Sequence, residues 1–445
     1  MLRAEIDVEE VVMSNLRIKD CYIITMKAEE ELITRGEVAL EGDKISYVGE
    51  VRENVDDKNF DQVIYASGKV CLPGFINTHT HSPMILFRSF ADDLPLMTWL
   101  EEKIWPLEDK LTSEDVYWST LLAIVEMIKS GTTTFNDMYF FMDDMVRAVE
   151  ESGIRAVLAR GLIGLEGKGE VGLKETEDFI TRWHNSCQGR IKAMLGPHAP
   201  YTCPPEFFRE VLAKASKHKL PLHTHLAETS FEVQHCKDNY DKTPVELMDQ
   251  VGLFDFPVIV AHCVHLTEED MELMADKKVK VSHNPGSNLK LASGIAPLAS
   301  MLGKGIEVSL GTDSAASNNN LDLLEEMRLA ALIHKAREND PTVIPAYKAL
   351  EMATREGAKG LFMEEEIGIL QEGFKGDLIL MDFQKPHLYP QHDLVAHLVY
   401  SAQSSDVDTV VIDGEILMEN REMKGLDEER IMFNAQKQAL ELIRR

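Results

Sequence analysis

Two histidines two residues apart, His79 and His81, close the stretch Pro73-Gly-Phe-Ile-Asn-Thr-His-Thr-His81. On a β-strand that spacing puts both imidazoles on one face. Neutral nitrogen donors so placed can grip Zn²⁺ or Fe²⁺, provided the fold brings further ligands from elsewhere. Taken alone, the pair reads more simply as two partly exposed loop histidines; the rest of the chain reverses that reading. Leu222-His-Thr-His-Leu-Ala-Glu228 ends another run with His225 and, three residues on, the acid Glu228. Leu310-Gly-Thr-Asp313 ends a third with an acid at a glycine-marked turn. His79, His81, His225 and Asp313 offer three nitrogens and one carboxylate oxygen, leaving a position for water as a catalytic metal requires. Such an ion would lower the pKa of that water toward neutrality.

These residues need a frame that gathers them. Between about residues 71 and 373, short β-branched runs alternate with amphipathic helical stretches, the pattern of a parallel α/β architecture. Eight runs are legible: Gly74 to Asn77, Thr132 to Phe135, Ile154 to Arg160, Arg190 to Leu195, Leu220 to Thr224, Val258 to Ala261, Val279 to Ser282 and Ile306 to Leu310. Eight parallel strands with intervening helices predict a (β/α)₈ barrel of TIM type, whose reactive groups follow the C-terminal strand ends. His79 and His81, Asp137, Arg160, His198, His225 and Glu228, His262, His283 and Asp313 fall there, in strand order. Ser113 to Lys129 and Leu321 to Lys335 carry apolar residues at helical spacing, as an outer ring would. A doubly wound open sheet would not bring the first, fifth and eighth strands to one point. Alternating runs at 14–70, and again in 374–445 with a turn at Asp413-Gly414, predict one small composite β-sandwich domain built from both chain ends around a barrel at 71–373, with a terminal helix.

At 445 residues with 44% hydrophobic content, the chain can bury such a barrel. A formal charge of -29, from 75 acids against 46 bases, argues against nucleic acid or an anionic membrane as partner. Six cysteines without paired spacing, no secretory leader and no membrane-length apolar run predict a soluble cytoplasmic protein. Residues 1–12 fit no pattern and read as an optional extension.

The motifs Pro-Gly-Phe-Ile-Asn-Thr-His-Thr-His (73–81), Gly-Pro-His (196–198), His-Leu-Ala-Glu (225–228), Ala-His-Cys-Val-His (261–265), Ser-His-Asn-Pro-Gly-Ser-Asn-Leu-Lys-Leu (282–291) and Gly-Thr-Asp (311–313) together resemble the amidohydrolase superfamily. Ser-Asn-Leu-Lys-Leu and Ala-Ala-Ser-Asn-Asn (315–319) look most like its 5-methylthioadenosine/S-adenosylhomocysteine deaminases. The resemblance implies hydrolytic deamination of a small nucleoside, with His79, His81, His225 and Asp313 holding one divalent metal, Zn²⁺ before Fe²⁺. It places Glu228 and His262 beside the purine, Glu108 and His198 near the ribose, and Arg160 at the far end of the substrate. Glu228 would then protonate N1, Asp313 would shuttle the water proton, and His262 would hold the attacking oxygen. Association of identical chains fits the family, although no interface is legible in the residues.

Departures and rivals remain in view. Family members that take a homocysteine-bearing substrate carry a second arginine after the one matched by Arg160; the loop Gly161 to Glu175 has Lys168 and Lys174 instead, so the resemblance implies a smaller 5′ group such as methylthio or 5′-deoxy. Superfamily members with two metals bridge them by a modified lysine at the end of the fourth strand; here the only lysine of that run, Lys192, lies near its start, so the resemblance implies one metal. Without the resemblance, Glu108 reads equally well as an ordinary helix-start acid and Arg160 as a barrel-mouth ion-pair residue, and Trp99 reads as core before pocket lining. A guanine or triazine aminohydrolase or dehalogenase is the rival reaction, and a non-catalytic barrel scaffold the rival class.

Overall fold

The chain enters through β1 (Asn15–Ile24), β2 (Leu32–Glu41), β3 (Lys44–Glu50), β4 (Gln62–Tyr65) and β5 (Lys69–Pro73) in a computed structural model that describes residues 15–29, 31–94, 96–165 and 167–445. The stretch 1–12 lies outside the described residues. β1 pairs antiparallel with β2 and parallel with β4 and β5, and its Leu16, Ile18, Cys21 and Ile23 are buried.

Each of the eight β-branched runs then becomes a strand: β6 (Phe75–Thr80), β7 (Thr132–Tyr139), β8 (Arg155–Leu162), β9 (Ile191–Pro197), β10 (Leu222–Leu226), β11 (Val258–His262), β12 (Lys280–His283) and β13 (Val308–Leu310). They form one parallel sheet in sequence order. Being covered by helices outside and side chains inside, β6, β7, β10, β11 and β13 are buried at every position, as parallel strands are. The seam between first and last strands is held by side-chain and main-chain bonds together. Thr78 Oγ1 donates to Leu310 O at 2.9 Å, Thr312 N–H reaches Asn77 Oδ1 at 3.1 Å, and Asp313 N–H reaches His79 O at 2.9 Å. The helix Ser113–Lys129 has the predicted bounds because Thr112 and Asp115 form a capping box at its start.

After the barrel, β14 (Leu378–Asp382) lies antiparallel to β5, followed by β15 (Val407–Ile412), β16 (Glu415–Glu419) and β17 (Glu422–Met423). The two chain ends therefore share one mixed sheet, ordered β17-β16-β15-β14-β5-β1-β2-β3, with β4 beside β1. Asp413 and Gly414, at φ 50° and 79°, make the tight left-handed turn between β15 and β16. Arg155, fully buried at the first position of β8, locks this sheet to the barrel floor. Its Nε and Nη2 donate to Asp377 at 2.8 and 3.0 Å, and Nη2 also bonds Asp413. No helix among the described residues is long and apolar enough to cross a membrane.

Candidate active site

Strand period two turns both His79 and His81 toward the barrel axis, where β10 and the turn after β13 deliver His225 and Asp313. His79 Nε2 and His81 Nε2 each lie 3.4 Å from Asp313 Oδ1, and His81 Nε2 lies 3.2 Å from His225 Nε2. Ligands about 2.0–2.1 Å from a tetrahedral zinc sit about 3.3 Å from one another. The far nitrogens fix the tautomers: His81 Nδ1 donates to Met138 O at 2.6 Å and His225 Nδ1 to His198 O at 2.7 Å. A carbonyl only accepts, so both Nε2 atoms carry lone pairs that face each other. His79 Nε2 is buried with no hydrogen-bond partner among the described residues. Such a set of donors fits a divalent cation placed between them. Burial holds His79 at about 3 and His225 well below the ordinary imidazole range, so both are neutral, as ligands must be.

Asp313 owes its place to the residues around it. Any side chain at Gly311 would meet Ser282 Oγ at 2.6 Å, Asn284 Nδ2 at 2.7 Å and His79 Cβ at 2.8 Å, so only glycine lets the turn approach. Asp313 itself has φ 60°, a left-handed conformation that a non-glycine residue adopts at a cost. Ser287 and Ser317 donate to its Oδ2 at 2.6 and 2.7 Å, which leaves Oδ1 toward the histidines. Glu228 follows Ala227, whose φ is 51°. Both oxygens of the buried Glu232 brace this turn, accepting the N–H of Ala227 at 2.8 Å and of Glu228 at 3.1 Å. Burial raises the Glu228 carboxyl above the usual carboxylate range, so it can carry a proton to donate. His262, with φ 75°, brings its ring centroid to 5.3 Å from His79 and 5.4 Å from His225. Its Nδ1 donates to Asn288 Oδ1 at 2.9 Å. His265 instead donates to Ser293 O, a loop contact, so the choice of His262 over its neighbour follows from direction.

A profile of the amidohydrolase family matches residues 70–417. The chain belongs to the amidohydrolase family. A 5-methylthioadenosine/S-adenosylhomocysteine deaminase from Dictyoglomus thermophilum is 56% identical over 398 residues, 89% of this amidohydrolase and 93% of that protein. A zinc-bound adenosine deaminase from Xanthomonas campestris superposes with a TM-score of 0.92 at 32% identity, over 97% of this chain and 99% of that one. An atrazine chlorohydrolase from Arthrobacter aurescens TC1 complexed with zinc gives 0.89 at 25% identity, over 95% and 100%. The metal cluster of this amidohydrolase is accordingly a divalent-metal site.

The remaining predicted residues are distributed around it. His198 stands beside His225, ring centroids 4.7 Å apart, and its Nδ1 pairs with Thr202 Oγ1 at 2.9 Å. Burial pushes it down to about 3. Glu108 ends the short helix Trp105–Glu108 and accepts from Tyr139 Oη at 2.7 Å. Arg160 sits at the mouth, forked onto Glu175 at 2.8 and 2.9 Å and stacked over Phe140. Trp99 is core, 5% exposed, and His283 pairs with His334 at 3.1 Å away from the cluster. Asp137, unassigned from sequence, accepts Ser82 N–H at 2.7 Å and is raised to about 6 by burial. Sequence reasoning passed over His223, whose signal was a second His-x-His at 223–225. It also gave no role to Glu232, nor to Ser287 and Ser317, which lie inside the quoted motifs 282–291 and 315–319, and read Asn288 as a loop-shaping group.

Proposed function

We propose that this amidohydrolase hydrolytically deaminates 5′-substituted adenosines, with 5′-methylthioadenosine and S-adenosylhomocysteine as the substrate class, releasing ammonia and the inosine analogue. The observation that carries this reading is the convergence of three histidine Nε2 atoms and Asp313 Oδ1 beside the buried Glu228, whose carboxyl burial raises. A zinc ion held by His79, His81, His225 and Asp313 would supply the Lewis acidity that brings a water toward ionisation at neutral pH. Glu228 gives its proton to N1 of the purine as C6 accepts the water oxygen. Asp313 takes one water proton and passes it to the departing amine; the C6–N bond breaks, ammonia leaves, and the proton still on the oxygen returns to Glu228 as the C6 carbonyl forms. His262 hydrogen-bonds the incoming oxygen, and its orientation is fixed by Asn288. Glu108 and His198 contact the ribose. Arg160 meets the 5′ substituent, and its engagement with Glu175 supports a preference for uncharged groups over a homocysteine carboxylate.

The test is loss of adenine absorbance with parallel ammonia release, using zinc-loaded protein and 5′-methylthioadenosine, S-adenosylhomocysteine, 5′-deoxyadenosine, adenosine and guanine. Turnover of the adenine nucleosides and not guanine is expected, with one zinc per chain by metal analysis. A metal-replete preparation that leaves every adenine nucleoside unchanged would overturn the reading.

A further inference from the structure

His79 Nδ1 lies 2.8 Å from His223 Nε2, and His223 Nδ1 lies 3.3 Å from Ile259 O. The first contact joins β6 to β10, four strands away in an eight-strand sheet, so it spans the barrel interior. The second runs to the residue directly beside His223 in the β10–β11 register. Both histidines are fully buried.

Proton placement along this chain follows from its end. Ile259 O accepts only, so His223 Nδ1 carries the hydrogen. A neutral imidazole holds one N–H, which leaves His223 Nε2 as an acceptor and makes His79 Nδ1 the donor. His79 Nε2 must then bear the lone pair, and it is the atom that lies 3.4 Å from Asp313 Oδ1. His81 and His225 achieve the same end in one step, each donating Nδ1–H straight to a backbone carbonyl. For His79 the bond to a carbonyl is made through a second imidazole.

We propose that His223 is a positioning residue, an imidazole that accepts the Nδ1–H of His79 and so fixes the tautomer, ring orientation and donor strength of that metal ligand. Outer partners of this kind commonly change metal affinity by about 10–100-fold when removed. A histidine that merely fills the barrel interior would be replaceable by any ring of similar volume.

The inference rests on His79 being a ligand, and the experiment separates the two claims. Metal-free full-length protein is titrated with Zn²⁺ against a chromophoric chelator, and Co²⁺-loaded protein is examined by visible absorption. His223→Phe, which keeps the volume and lacks the acceptor, is expected to bind zinc about 10–100-fold more weakly, whereas His223→Gln, which keeps an acceptor oxygen, stays within about threefold of the native protein. The Co²⁺ spectrum should change in the Phe variant and be largely restored in the Gln variant. Wild-type affinity in His223→Phe, or a Gln variant no better than Phe, overturns the proposal. If the Phe variant does not fold, the native protein labelled with ¹⁵N-histidine decides: a neutral Nδ1–H tautomer at His223 supports the proposal and an Nε2–H tautomer overturns it. His79→Ala serves as the reference. Zinc binding unaffected by His79→Ala sinks the ligand assignment, while loss of zinc there but not in His223→Phe sinks the inference alone.

Discussion

The two ends of the barrel spend their buried polar groups in opposite ways. At the floor, Arg155 meets Asp377 and Asp413, charge against charge, and the bonds tie one part of the molecule to another. At the mouth, His79, His81, His225 and Asp313 turn like groups toward a common point, and their partners lie behind them in Met138 O, His198 O, His223 and two serines. Burial of charge is tolerable in the first case because it is paired, and in the second because a cation is to be added. The lesson is that burial alone does not separate a structural from a reactive polar cluster. What separates them is whether the convergent atoms complement one another.

Substitutions at the two ends should therefore fail differently. Asp313→Ala is expected to lower kcat/KM for 5′-methylthioadenosine by more than about 10³-fold with loss of bound zinc, since both the proton carrier and a ligand are gone. Near-native rates in that variant would break the contrast. Glu228→Gln should cost about 10²–10⁴-fold in kcat, with zinc content and unfolding temperature unchanged. Arg155→Met should do the reverse. Leaving Asp377 and Asp413 buried without their partner is expected to destabilise the fold by about 3–5 kcal/mol, read by denaturant unfolding, while turnover per folded molecule at low temperature stays close to native.

The comparison sharpens with pH. Glu326, beneath the Asp313 loop, accepts from Gly286 N–H and Asn318 at 2.9 and 2.8 Å, yet burial raises it to about 8 from an ordinary 4.5. Between those values the unfolded chain releases a proton that the folded chain retains. Its contribution is thus fully present below about 4.5 and is lost as the pH rises toward about 8. Glu326→Gln should flatten the decline of unfolding temperature across that window, and an unchanged slope would assign the decline to other groups. The smallest effect is expected at the rim, where Glu175→Gln frees Arg160 from an exposed pair. A gain of up to about fivefold in the ratio of S-adenosylhomocysteine to 5′-methylthioadenosine turnover is expected, in line with the modest energy of such pairs.

Much of the barrel was legible because its strands are short β-branched runs bounded by helices, and all eight runs became strands. The meeting of His79, His81, His225 and Asp313 was legible because each follows a strand end at a marked motif: His-x-His, His-x-x-Glu and Gly-Thr-Asp. The partners behind them were not. His223 shows in the sequence as half of a second His-x-His, but its contact with His79 crosses the barrel and is visible only once the sheet closes. Ser287 reaches Asp313 from the short helix Pro285–Lys290 and Ser317 from the turn after β13, and Glu232 acts on backbone N–H groups, which no side-chain pattern records. The attachment of Arg160 to Glu175 depends on how one helix settles on the mouth, which spacing along the chain does not express.

The hydrogen bond from Asp313 N–H to His79 O joins two members of the metal cluster through their own main chain, across the seam between the first and last strands. A polypeptide interrupted between His225 and Asp313 holds three imidazoles and neither the carboxylate nor the bond that sets its distance. The full set of four donors therefore exists only when the last strand meets the first.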